Sequence, residues 1–320
     1  MRMIAPVTVD DTNLESTTAT VAVDEVIYGT DWKGEWSSSY NGGYSTGDVV
    51  YKSAELYESL TSSNTSDPAT SSTGTGATWL HLGKTNPWRM FDDFVNTQTI
   101  GPSVDVGVDS EITFIIEQNT IEHLAFFELD ARYITVRLLD AVDTVLSEET
   151  YDLYAHVEDV IDWYEYFFGN DTLPRQATII QLPWVTYEER IKVVITQTSA
   201  PAKCGNFSMG RGYFLGSTQW QPEVSILDYS KKDTDSFGRT YLNQGNYSTL
   251  IRARLVLDNE LFDSTKFYLE RNRGTALVWN FNEEDTSWDG LLIYGFYRDF
   301  RMILDSPGGS ICILDVQGLI

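Results

Sequence analysis

Short runs in which apolar and polar residues alternate recur along the chain and predict a mainly β protein. The clearest runs lie at 111–153, where segments rich in Ile, Val, Phe and Thr are separated by turn residues. Short strands at this spacing are typical of an antiparallel β-sandwich, which we predict for residues 86–200. Weaker alternation at 1–30 predicts an N-terminal arm or edge strands that could pair with the sheet of a neighbouring subunit.

The pattern changes after residue 200 and predicts an α+β domain at 201–320. Most of this region reads as extended strands, but apolar residues recur at helical spacing within 260–272. Gly274 follows that stretch and favours its termination. Two further strands flank residues 305–309 and predict a hairpin. We therefore expect a C-terminal sheet that backs one helix.

Residues 31–85 differ from the rest of the chain in their density of aromatic, glycine and hydroxyl residues, and predict a small inserted β module. Planar rings stack on the apolar faces of sugars, and hydroxyl-rich loops supply hydrogen bonds that orient them. Tyr44, Tyr57 and Trp79 are therefore the candidate carbohydrate-binding residues. The polar stretch 59–78 is predicted to be a flexible surface loop.

A second interpretation of the same rings remains open. A module of this size needs large side chains to bury enough apolar area, so its rings could equally form its own core. Trp36 is assigned to that core. Tyr44 and Tyr51 are further candidates for it.

The charge of the chain narrows the range of partners. Asp and Glu outnumber Lys and Arg by 47 to 22 in 320 residues, which gives a formal net charge of -25. The negative electrostatic field of such a protein repels phosphate backbones and anionic lipids, so nucleic acid and membrane surfaces are poor partners. The N-terminus lacks the apolar run of a secretory signal, and no stretch reaches the roughly 18 apolar residues of a membrane helix. We expect a protein that folds in a cytoplasm without membrane insertion.

The sequence predicts no catalytic, metal or cofactor site. The chain has 3 histidines and 2 cysteines, and none has the spacing of a common metal site. No nucleophile elbow, phosphate-binding loop or kinase motif is present. Glycoside hydrolysis would need two carboxyl groups about 5 to 9.5 Å apart, and the cluster of Asp159, Asp162 and Glu165 beside aromatic residues is the best candidate for it. The other interpretation of this cluster is a solvated acidic face over an aromatic contact surface.

Two phrases resemble known carbohydrate-associated folds. Residues 120–140 are similar to the central strands of galactose-binding-like jelly rolls. The module resembles the small chitin-binding modules attached to bacterial chitinases, and the residues that carry this resemblance are Trp36, Tyr40, Gly47, Asp48, Val49, Val50, Tyr57, Asp67, Pro68 and Trp79.

Four longer phrases resemble a family of structural proteins from the virions of tailed bacteriophages. They are TNPWRMFD, IDWYEYFF, STQWQPEVSILDYSKKDTDSFG and YGFYRDFRMIL, and they occur in the order typical of that family. Gln221 and Pro222 replace an expected glycine turn. GTGATWL replaces the more usual double tryptophan near the end of the module.

The resemblance implies a non-enzymatic tail or baseplate protein, located in the virion and present in many copies. Its expected partners are other tail proteins, copies of itself and, through the module, host-surface glycans. The alternatives are a purely structural ring or adaptor protein and a glycan-cleaving tail enzyme. Polar and aromatic residues in the matching phrases are the predicted interface, namely Asp162, Trp163, Tyr164, Tyr166, Asp228, Tyr229, Tyr297 and Arg298.

Overall fold

A computed structural model describes residues 1–104, 107–117, 121–154, 175–183, 190–282, 288–306 and 309–319. The fold is mainly β, as the alternation predicts, and its sheets are predominantly antiparallel. The strands, in chain order, are β1 (Arg2–Pro6), β2 (Leu14–Thr17), β3 (Trp32–Glu35), β4 (Val49–Lys52), β5 (Glu55–Ser59), β6 (Trp79–Lys84), β7 (Thr99–Ile100), β8 (Asp109–Glu117), β9 (His123–Phe127), β10 (Tyr133–Leu139), β11 (Val145–Asp152), β12 (Thr178–Gln181), β13 (Arg190–Thr198), β14 (Lys203–Cys204), β15 (Asn206–Phe214), β16 (Ser217–Thr218), β17 (Glu223–Asp228), β18 (Lys231–Thr234), β19 (Thr240–Asn243), β20 (Tyr247–Leu257), β21 (Leu277–Asn280), β22 (Leu292–Ser306) and β23 (Gly309–Gly318).

Helical segments are few and short. The α-helices are α1 (Ala22–Tyr28), α2 (Pro68–Ser71) and α3 (Phe262–Arg271). Short 3-10 turns occur at Gly29–Asp31, Asn86–Phe91, Asn259–Leu261 and Asp289–Leu291. The helix expected near 260–272 is α3, which buries Thr265 and Leu269.

One ten-stranded sheet runs through most of the molecule. Its order is β12-β9-β15-β1-β21-β22-β23-β20-β16, and β17 also pairs with β20. A five-stranded sheet, β11-β10-β13-β8-β2, packs on one half of it around Phe114, Phe126 and Phe207. At the other half, α3 packs on the sheet through Leu269, beside Trp279. The layers therefore change from sheet on sheet to helix on sheet.

The large sheet crosses the boundary that we predicted at residue 200. Strand β9, from the expected sandwich domain, pairs with β15, from the expected α+β domain. The two regions have the local architectures that their patterns predict, but they share one continuous sheet. The 86–200 and 201–320 regions are better described as two halves of a single body.

The first strand of the chain, β1, lies inside the large sheet, so the prediction that the chain begins with a free N-terminal arm is wrong. Strand β1 pairs with β15 on one side and with β21 on the other. Met3 and Ile4 are fully buried. Because both edges of β1 are already hydrogen-bonded, it has no free edge to offer a neighbouring subunit. Strand β2 does lie at one end of the five-stranded sheet.

The TNPWRMFD phrase fixes the module to the body through one buried amide. The Asn86 side chain donates hydrogen bonds to the carbonyl oxygens of Thr20 and Ile100 and accepts one from the Ile100 amide. The backbone N–H of Asn86 and the Arg89 guanidinium both donate to the buried carboxylate of Asp24. This network satisfies the buried polar groups where the chain leaves and rejoins the body, so much of the phrase has a structural role.

Candidate functional site

The module is a four-stranded sheet, β3-β4-β5-β6, that folds around its own rings. Tyr44 and Trp79 are fully buried, Tyr57 is 7% exposed, and Val50 completes the cluster. The rings of Tyr44 and Trp79 meet edge to face with centroids 5.4 Å apart. The Trp79 Nε1–H donates to the Ser66 carbonyl at 2.9 Å.

The prediction that Tyr44, Tyr57 and Trp79 bind carbohydrate is therefore wrong. A ring must expose a face to stack on a sugar, and these three rings are buried together in the core of the module. The second interpretation holds instead, because a short four-stranded sheet needs large side chains to form any core. Burial also raises the pKa of Tyr44 and of Tyr57.

The polar stretch 59–78 is ordered, contrary to the flexible loop that its composition predicts. Buried Asn64 donates to the Ser59 hydroxyl at 3.0 Å and to the Thr78 carbonyl at 2.9 Å. Its backbone forms a two-way bridge with Tyr44. The Asn64 side chain thus supplies the contacts that apolar residues would otherwise provide.

Other rings of the module do face outward. Tyr40 is 38% exposed and lies parallel to Tyr44, with ring centroids 4.3 Å apart. Half-buried Trp32 and Tyr51 form a parallel row with Tyr28, which precedes the module, and the centroid distances are 6.3 Å for Tyr28–Trp32 and 5.7 Å for Trp32–Tyr51. The outward direction of Tyr51 follows from the alternation of β4, in which the neighbouring Val50 points into the core.

The most exposed apolar surface lies elsewhere, on residues 223–246, here called the arm. The arm comprises β17 and the two-stranded hairpin β18-β19, and every described strand residue in it is exposed. Phe237 is 88% exposed, Leu242 70% and Ile226 63%. Just before the arm, Trp220 is also largely exposed and contacts Trp288. The sequence pattern predicts extended strands in this region, but it does not indicate that these apolar side chains are exposed.

Register explains why the arm is apolar on one side. Val224 lies opposite Ile251 of β20 and therefore on the same face of the sheet. Ile251 is buried in the body, whereas Val224 is half exposed. The core-facing side of the large sheet thus continues onto β17, beyond the layer that covers it. Among the described residues, nothing pairs with the outer edge of β17.

Two of the predicted interface residues lie on the arm. Asp228 is exposed, and hydrogen bonds from the side chain and backbone of Ser230 lower the pKa of its carboxyl. Tyr229 is 49% exposed, and its hydroxyl accepts a hydrogen bond from Gln317. Both residues are placed where a neighbouring subunit could reach them.

The remaining interface predictions have different outcomes. Tyr297 donates its hydroxyl to the Leu269 carbonyl at 2.9 Å and packs against Trp279, so its ring joins α3 to the sheet. These contacts give Tyr297 a structural role, and its assignment to an interface stays a prediction. Arg298 is exposed. The others lie outside the described residues, namely Asp162, Trp163, Tyr164 and Tyr166.

A groove with a volume of about 830 Å³ lies on the surface where residues of the two halves of the body meet. One wall comes from 95–98, 127–128 and 176–177, and the other from 244–249 and 318–319. Leu292 and Tyr294 of β22 form part of its floor. Tyr294 donates its hydroxyl to Asp93, and burial raises the pKa of the neighbouring Asp92 to about 6.

Within the described ranges, no group of three or more His, Cys, Asp and Glu side chains could hold a metal ion. The same part of the chain contains no helix with the length and apolarity to cross a membrane. The sequence matches no known protein family and no curated protein. The function proposed below therefore depends on the geometry and on the phrase resemblances.

Proposed function

We propose that the protein is a structural component of a bacteriophage tail or baseplate, and that copies of it assemble through the arm. The observation that carries this proposal is the combination, on residues 223–246, of exposed apolar side chains and a strand edge with which no described strand pairs. Exposed edges and apolar patches of this kind bind other chains in assemblies.

The resemblance to tailed-phage proteins supports the same assignment. The longest matching phrase, STQWQPEVSILDYSKKDTDSFG, covers β17 and most of the hairpin, which includes Phe237. A surface used for assembly combines aromatic and polar residues, as this phrase does. The charge of -25 keeps unassembled copies apart until specific contacts form.

Among the alternatives, the purely structural protein gains support. Burial of Tyr44, Tyr57 and Trp79 removes the observation on which sugar binding by the module depended. The acidic cluster considered for glycan cleavage lies outside the described residues, so the described geometry offers no support for hydrolysis. A structural role needs neither property.

The test compares two double substitutions at exposed apolar positions. Phe237→Ser with Leu242→Ser changes the arm, and Val26→Ser with Val142→Ser is the matched control, since Val26 and Val142 are 82% and 78% exposed but lie outside the arm. Light scattering after size exclusion measures the mass of the particles. We expect the wild type and the control to form oligomers, and the arm variant to remain a folded monomer.

Placement in the tail is tested separately. Gold-labelled antibodies against the purified protein should mark the tail or baseplate of phage particles in electron micrographs. A label on the capsid, or no label on intact particles that contain the protein, would contradict a tail role. Oligomers that survive the arm substitutions would contradict the assembly role of the arm.

A further inference from the structure

We propose that the groove between the two halves of the body binds a segment of neutral polysaccharide. This site is separate from the module, and it shares Gln244 and Asn246 with the C-terminal end of the arm. Its volume, about 830 Å³, lies within the 300–1,000 Å³ that is usual for small-ligand sites. The class of ligand follows from the charge, the hydrogen-bonding groups and the rings of the groove.

The groove is almost uncharged although the protein is strongly acidic. Among its described lining residues, Glu128 alone carries an ionisable carboxylate or cationic group. Burial raises the pKa of the Glu128 carboxyl group. A phosphate or carboxylate ligand would find no cation here, and a metal ion would find no pair of carboxylates. The lining therefore favours a ligand without net charge.

Carboxamides dominate the polar part of the lining. Each carboxamide offers a donor and an acceptor side by side, which matches the adjacent hydroxyl groups of a sugar, since a hydroxyl also donates and accepts. The amide nitrogen of Gln98 donates to the Glu128 carbonyl at 3.2 Å, and the other four side chains have no hydrogen-bond partner among the described residues. The five carboxamides are those of Asn96, Gln98, Gln176, Gln244 and Asn246.

Tyr247 supplies an open ring at the edge of the groove. Tyr247 is 59% exposed, whereas the side chains of Phe127 and Tyr294 are almost completely buried. An exposed ring beside several carboxamides can stack on the apolar face of a sugar while the amides bind its hydroxyls. This is the combination that we first expected in the module, where the rings turned out to be buried.

A neighbour's arm fits the same groove poorly. The side chains that the arm exposes include Ile226, Phe237 and Leu242, which neither donate nor accept hydrogen bonds. Covering the carboxamides with them would leave buried polar groups unsatisfied, at about 1–3 kcal/mol for each group. A polyhydroxylated chain has no such penalty because it can pair with every amide.

The experiment titrates the full-length protein with chitohexaose, cellohexaose and maltohexaose, and with hexagalacturonate as the acidic counterpart. Calorimetry and ligand-observed NMR measure binding. At least one neutral hexasaccharide should bind at a single site with a Kd below about 1 mM. Hexagalacturonate should bind at least tenfold more weakly, because its carboxylates meet no cation.

Variants locate the site. Tyr247→Ala and Gln176→Ala should each weaken binding at least tenfold, and because they lie on opposite walls, a folding defect in one does not remove the test. Asn243→Ala, at the end of β19 and outside the groove, should bind as the wild type does.

The proposal is overturned if no neutral hexasaccharide binds, if hexagalacturonate binds as tightly, or if both groove variants retain full binding. Loss of binding in Tyr40→Ala alone would place the sugar on the module and would also overturn it. Oligomer mass is measured on the same samples, so failure of the groove proposal is distinguishable from failure of the assembly proposal.

Discussion

The module and the arm are both small β structures rich in aromatic residues, but they use their rings in opposite ways. In the module, Tyr44 and Trp79 are buried against each other. In the arm, Phe237 and Tyr241 are exposed, and neither belongs to an apolar cluster formed by the described residues. The same composition therefore serves as a core in one region and as a surface in the other.

The physical reason lies in the number of strands and in what covers them. Four strands and the loop held by Asn64 bury the rings of Tyr44 and Trp79. A two-stranded hairpin such as β18-β19 has no second layer, and isolated hairpins are marginally stable in water. The exposed rings of the arm are consistent with a surface completed by another chain. Aromatic content alone thus says little about sugar binding, whereas the exposure of each ring is informative.

The largest expected effect comes from removing the central ring of the module. Trp79→Ala should destabilise the module by about 3–5 kcal/mol, because it leaves a cavity among Tyr44, Val50 and Tyr57 and removes the hydrogen bond to Ser66. Hydrogen exchange measured by mass spectrometry should show faster exchange across residues 32–84 than in the body.

The matched control for Trp79 is Tyr40→Ala, which removes a ring from the surface of the same module. Tyr40 is 38% exposed, so its loss should cost about 1 kcal/mol or less. Equal protection in the Trp79→Ala variant and the wild type would contradict the assignment of Trp79 to a core.

A smaller effect is expected from the buried amide of the polar stretch. Asn64→Ala should cost about 2–3 kcal/mol, because it leaves the Thr78 carbonyl and the Ser59 hydroxyl without this donor. Urea unfolding measures the change, and exposed Asn41→Ala in the same module is the control. If the two substitutions had equal effects, residues 59–78 would behave as the flexible loop that their composition predicts.

The local pattern of apolar and polar residues was sufficient to predict individual strands and helices, but not to predict which strands pair. Alternation predicted strands such as β8, where Ile112, Phe114 and Ile116 face the core, and helical spacing predicted α3. The position of β1 could not be predicted, because its partners β15 and β21 lie more than 200 residues away. The same short strand would read identically at an edge or in the centre of a sheet.

The candidate sites were harder to predict than the elements. The inward direction of Trp79 depends on the register between β5 and β6, and a shift of one residue would turn it outward. The carboxamides of the groove come from three separate segments, so no short motif brings them together. A signal for the arm was present in the apolar residues of 223–242, but their lack of cover is visible only in three dimensions.

The smallest expected change in stability gives the sharpest comparison between exposed and buried positions. The same Ile→Thr substitution is made in two adjacent strands, β17 and β20. Ile226 of β17 is 63% exposed, and Ile251 of β20 is 1% exposed. At concentrations where the protein is monomeric, Ile226→Thr should change the free energy of unfolding by no more than about 0.5 kcal/mol. Ile251→Thr should cost at least about 2 kcal/mol, since it buries a hydroxyl in the core.

The dependence of the Tm on protein concentration then distinguishes an exposed surface that binds nothing from a surface used for assembly. Association through the arm stabilises the folded state by mass action, so the Tm of the wild type should rise with protein concentration. Ile226→Thr should abolish that rise while leaving the Tm at low concentration unchanged. If the Tm of the wild type does not depend on concentration, or if Ile226→Thr preserves the dependence, the arm is an exposed surface without a partner copy, and its contrast with the module concerns folding alone.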